Sequence, residues 1–132
     1  MTLPNEPRHI LCIDDNADTC VLIGLILRSE DIQMTTTCEV AHALEVLQNE
    51  PVDLLITDLW LTQGSGDELC RTARRLHPTT KIVVTSDFDI TDPNFQEKSL
   101  ADACLAKPFD FNNLVQTVRS LLAPNGFTSP QT

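Results

Sequence analysis

The sequence predicts a doubly wound α/β domain built on a five-stranded parallel sheet, and three observations carry that reading. Short β-branched or aliphatic runs recur at residues 9–13, 33–38, 53–57, 81–84 and 103–106. Stretches with helical periodicity stand between them. Most of the runs are too apolar to keep one face in water, which is the pattern of strands covered on both sides by helices joined through right-handed crossovers. A chain of 132 residues with 42% hydrophobic side chains suffices for one core of ordinary size. The expectation is one domain over residues 8–123, flanked by short tails at 1–7 and 124–132 that are rich in Pro, Asn, Thr and Ser.

Taken in order, the first run ends at Asp14 and Asp15, and Val21 to Leu27 after it are more apolar than one helical stripe requires. That helix is expected to pack against both the sheet and the last helix, with Val21 and Leu25 as its outer residues; the alternative is that these dock a helical partner. Val40, Ala43, Leu44 and Leu47 mark the second helix, and Leu69, Ala73 and Leu76 a weaker third. Pro93 suits the first turn of a fourth helix ending near Leu100. Phe111, Leu114, Val115, Val118, Leu121 and Leu122 form the apolar stripe of the last one.

A net charge of −10 and a pI near 4.4 produce a field that repels nucleic acid and anionic membrane, so neither is an expected partner. No apolar segment approaches the roughly 20 residues of a membrane span, and the first residues lack a signal peptide's basic and apolar regions. A cytoplasmic location is expected. Cys12, Cys20, Cys38, Cys70 and Cys104 show no C-x-x-C spacing and read as reduced, buried thiols. His9, His42 and His77 read as surface or strand-edge residues.

Asp58 interrupts the apolar run LLITDLWL, where an unpaired carboxylate would be costly in the interior. In an open parallel sheet, however, ligands bind at the carboxyl ends of the strands, and Asp58 falls at such an end. Asp14 and Asp15, Thr85 and Ser86, and Lys107 and Pro108 follow other strands to the same edge. Converging carboxylates repel one another, and oxygen donors without Cys or His suit magnesium. Lys107 supplies a compact counter-charge for phosphate, and the Thr85 hydroxyl a hydrogen bond. With no G-x-x-x-x-G-K-[ST] or G-x-G-x-x-G segment and four glycines in all, the backbone has little means to cradle a nucleotide. A transferred phosphoryl group must land on a side chain, and Asp58 is the available nucleophile.

These residues together resemble the receiver domain of response regulators in two-component signalling. The resemblance covers about residues 8–123 and rests on CIDDN, LLITDLWL, IVVTS and LAKPF, with spacings of 27 from Asp58 to Thr85 and 22 from Thr85 to Lys107. It implies a flavodoxin-like (βα)5 fold with strand order 2-1-3-4-5. It implies that Asp58 accepts a phosphoryl group from a phosphohistidine on a sensor histidine kinase or histidine phosphotransfer protein. Asp15, Asp58 and the Trp60 carbonyl would ligate magnesium directly and Asp14 through water, while Thr85 and Lys107 would bind phosphoryl oxygens. Lys107-Pro108 would be cis.

Several positions depart from the family pattern. Thr62 stands where a proline is usual, Ser86 where a small Ala or Gly follows the hydroxyl residue, Cys104 in place of an aromatic and Leu100 in place of a glycine. Gly66, eight residues after Asp58, is retained. The bland reading of Asp14 and Asp15 is a helix cap and first-turn pair, worth about 1 kcal/mol. A haloacid-dehalogenase type aspartyl-phosphate hydrolase would need a second Asp where Trp60 stands. A degenerate receiver acting only as an interaction module would lack one of the acidic or lysine positions, and all are present.

Overall fold

The computed structural model describes residues 7–29, 31–61, 64–86 and 101–123. In chain order the elements are β1 (Arg8–Ile13), α1 (Ala17–Leu27), β2 (Ile32–Thr37), α2 (Val40–Asn49), β3 (Leu54–Asp58), β4 (Trp60–Leu61), β5 (Gly64–Ser65), α3 (Gly66–Leu76), β6 (Lys81–Ser86), β7 (Ala103–Ala106) and α4 (Phe111–Leu122). Five parallel strands pair in the order β2-β1-β3-β6-β7. Without the two-residue strands β4 and β5, this is the expected order 2-1-3-4-5. The expected fourth helix, from Pro93 to Leu100, lies outside the described residues.

Strand alternation sorts the core into two layers. Ile10, Cys12, Leu54, Ile56, Val83 and Leu105 pack with Cys20, Ile23 and Leu27 of α1 and Leu114, Val118 and Leu122 of α4. Leu11, Ile13, Leu55, Ile82 and Val84 face the other way, onto Ala43 and Leu47 of α2 and Leu69 and Ala73 of α3. Each of these aliphatic side chains contributes about 1.5–3 kcal/mol by leaving water. α1 therefore packs against both the sheet and the last helix, as expected. Its outer residues Val21, Leu22 and Leu25 remain 58%, 43% and 60% exposed, enough to leave an apolar stripe in water.

The sequence reading needs correction at four places. Asn16 caps α1, its side chain accepting from the amides of Asp18 (2.9 Å) and Thr19 (3.2 Å), so the acidic pair before it is not needed as a cap. Phe111 lies off the buried stripe of α4 and is half exposed. β4 and β5 pair as an antiparallel ribbon, too short to leave a periodic signal. His9 is buried rather than at the surface. Its Nδ1 donates to the Pro51 carbonyl at 2.8 Å, and its Nε2 lies 2.8 Å from the Thr35 hydroxyl. Among the described residues, no helix is long and apolar enough to cross a membrane.

Candidate functional site

The strand register places the candidate residues together before any side-chain contact is considered. Asp58 and Thr85 are direct partners across β3 and β6, and Ile13 at the end of β1 pairs with both Thr57 and Thr37. Asp14, one residue beyond Ile13, thus lies beside Asp58. By alternation, Asp14, Asp58, Thr85 and Lys107 continue the face of the sheet that packs on α1 and α4. The Leu59 amide donates to the Thr85 carbonyl at 2.8 Å and the Lys107 amide to the Ser86 carbonyl at 2.8 Å, so the pairing persists past the strand ends.

Lys107 joins the carboxylates. Its Nζ donates to Asp14 Oδ2 at 2.7 Å and to Asp58 Oδ2 at 3.0 Å. The Asn16 amide donates to the other oxygen of Asp14 at 2.9 Å, so both oxygens of that buried carboxylate are held. Burial pulls the Lys107 ammonium down, but hydrogen bonds to Asp14 and Asp58 and their charges outweigh burial and hold it above the ordinary lysine value. The Lys107-Pro108 peptide is cis, as the resemblance implies.

Backbone placement at the end of β3 depends on two residues. The Thr57 hydroxyl donates to the Asp58 carbonyl at 2.9 Å, and the Gly66 amide donates to the Leu59 carbonyl at 3.0 Å. A Cβ on Gly66 would overlap the Asp58 carbonyl oxygen and approach Thr57 Oγ1 to 3.1 Å, so only glycine fits.

Asp15 is exposed, and Trp60 is described only through its backbone, in β4 two residues beyond Asp58. Among the described residues no group of three or more His, Cys, Asp or Glu side chains is gathered tightly enough to cage a metal. The donor chemistry nevertheless fits a hard cation: two carboxylates converge on one positive charge, and magnesium characteristically takes one or two carboxylates and keeps water for the rest.

Sequence reasoning missed Asn16, which supports Asp14, and the thiols behind it. Cys20 Sγ lies 3.5 Å from the Asp14 carbonyl and 3.4 Å from the Thr37 carbonyl, the two acceptors within reach of its single proton. Cys12 lies in the same buried layer as Cys20, and Cys38 directly follows Thr37. All five cysteines are free thiols. The spacings 12, 20 and 38 match no ligand or redox motif, so only the strand alternation that puts Cys12 and Cys38 on one face could have revealed the group.

A family model described as the response regulator receiver domain matches residues 10–119. Transcriptional regulatory protein GlrR of Escherichia coli (strain K12) is 30% identical over 121 residues, which is 91% of this chain and 27% of that protein. The chain spans about half or less of the length of such curated relatives. A response regulator receiver protein from Sinorhizobium medicae WSM419 superimposes with a TM-score of 0.78 at 28% identity, covering 89% of this chain and 95% of that one. A response regulator protein from Burkholderia pseudomallei, crystallised with a phosphorylated aspartic acid, calcium ion and citrate, does so with a TM-score of 0.73 at 25% identity, covering 90% and 68%. The chain therefore belongs to the response regulator receiver domains, the signalling modules of two-component systems.

Proposed function

We propose that residues 8–123 form a receiver that accepts a phosphoryl group on Asp58 from a phosphohistidine of a sensor histidine kinase or histidine phosphotransfer protein, with magnesium. The observation that supports this best is Lys107 Nζ lying between Asp14 and Asp58, with Thr85 beside Asp58 in register. An Asp58 oxygen attacks phosphorus in line, the P–N bond to the donor imidazole breaks, and the imidazole leaves with the bonding pair. Lys107 follows the new charge, exchanging a carboxylate partner for a phosphoryl oxygen, and the Thr85 hydroxyl donates to another. Asp14, Asp15, Asp58 and the Trp60 carbonyl would hold the ion, whose charge offsets that of the phosphoryl oxygens.

The donor's approach is favoured along α1. Thr19, Leu22 and Ile23 line a groove of about 330 Å³ with Lys107, Pro108, Phe109 and Phe111, and exposed Val21 and Leu25 extend its apolar surface. An amphipathic helix laid there presents its histidine at the end of the sheet.

Incubation with acetyl phosphate and magnesium tests the chemistry without a partner. Intact-mass spectrometry should show one added phosphate, absent when magnesium is chelated and absent in Asp58→Asn. Phosphorylation of Asp58→Asn at the wild-type rate would refute the assignment.

A further inference from the structure

We propose that Cys20 and Cys38 form a peroxide-driven disulfide that fastens α1 to the end of β2 and thereby restrains the acidic loop that leads from β1 into α1. Cys12 pairs with Thr36, so Cys38, two residues past Thr36, continues the same face of the sheet as Cys12. α1 covers that face and sets Cys20 above it, buried among Cys12, Ile23 and Ile56. The Cys20 thiol lies 3.4 Å from the carbonyl of Thr37, the residue preceding Cys38. Cys20 is buried, whereas Cys38 is half-buried and open to a small oxidant.

The steps balance. Peroxide oxidises the Cys38 sulfur to a sulfenic acid, the O–O bond breaking and its other oxygen leaving as water. The Cys20 sulfur then attacks the Cys38 sulfur; the S–S bond forms, the S–O bond breaks, and hydroxide leaves with the Cys20 proton as a second water. Burial and the neighbouring Cys20, Asp14 and Asp15 hold the Cys38 thiol above the usual range, so the first step is slow and needs sustained peroxide.

The consequence falls on Asp14. In the reduced protein the single Cys20 thiol proton is shared between the carbonyls of Asp14 and Thr37. A disulfide removes that proton, leaves a buried carbonyl short of a donor and pulls α1 toward β2. Resting on Asp58 as the acceptor, the expected effect is a slowing of phosphorylation by about tenfold, the scale on which outer partners of a site act.

Hydrogen peroxide added to the reduced, purified chain tests both halves. Intact mass should fall by about 2 Da per chain, and non-reducing peptide mapping should recover the Cys20 and Cys38 peptides joined, reversed by dithiothreitol. Cys104→Ser should behave like wild type. Cys38→Ser should lack the bridge and keep its acetyl phosphate reactivity after peroxide. Recovery of Cys20 and Cys38 as separate alkylated peptides after sustained peroxide, or a bridge between any other pair, overturns the site. A bridge that leaves the rate of Asp58 phosphorylation unchanged overturns the coupling alone, and the mapping holds even if another residue accepts phosphate.

Discussion

Gly66 and Lys107 show how much of the site depends on single residues. Because a methyl at position 66 would overlap the Asp58 carbonyl, Gly66→Ala should force β3's end or the start of α3 to move. We expect a loss of about 1–3 kcal/mol in urea unfolding, as for other overpacked positions, with slower phosphorylation by acetyl phosphate. An unchanged midpoint and rate would mean that the backbone yields freely there. Lys107 carries a pH signature. Its folded pKa stands above the unfolded value of 10.5, so its contribution to stability is full below pH 10.5 and is lost as pH rises through the folded pKa. Lys107→Met should flatten the alkaline limb of stability against pH, measured without divalent cations. Of the side chains gathered at this edge of the sheet, Asp14, Asp58, Thr85 and Lys107 were legible because each ends or follows an apolar run. Asn16, Thr57 and Cys20 were not, because they act through backbone atoms whose positions only the folded chain defines.

Elements were legible to the extent that their residues repeat. The five core strands start and end within two residues of their expected bounds, because burial on both faces writes a continuous apolar run. The β4–β5 ribbon has two residues per strand and no period to detect. Phe111 was misplaced because periodicity counts apolar residues without fixing where the stripe begins, and Asp110 caps α4 so as to turn Phe111 outward. Within α1, Gly24 contrasts with Gly66. A Cβ there would meet only Thr36 Cγ2, at 3.5 Å, an ordinary contact in a helix interior. Gly24→Ala should therefore stabilise the protein by about 0.5–1 kcal/mol, through the backbone freedom that glycine alone forfeits on folding. Asn16→Ala should do the reverse, costing about 1 kcal/mol as the Asp18 and Thr19 amides lose their acceptor. Equal midpoints for both variants in chemical denaturation would remove the helix argument.

Across the whole molecule, a net charge of −10 makes the compact state repel itself, and the repulsion is concentrated where Asp14 and Asp58 share one lysine with Asp15 close by in sequence. A divalent cation bound there offsets more repulsion than one bound elsewhere, and the unfolded chain has no such pocket. Magnesium should therefore add stability by mass action, about 2.7 kcal/mol at a hundredfold excess over its dissociation constant. For a domain of this length that is a rise in Tm of about 10 °C. General screening would also favour the folded state, so the comparison is with sodium chloride at equal ionic strength, which should give a much smaller rise. Asp58→Asn removes a site carboxylate while changing the net charge by one unit, and should lose most of the magnesium-specific part. Trp60 provides a second readout as the only tryptophan in a chain without tyrosine: its fluorescence should change over the same magnesium range as Tm. A rise matched by sodium chloride, or retained in full by Asp58→Asn, would place the ion's effect on the protein's general charge and not at the end of β3.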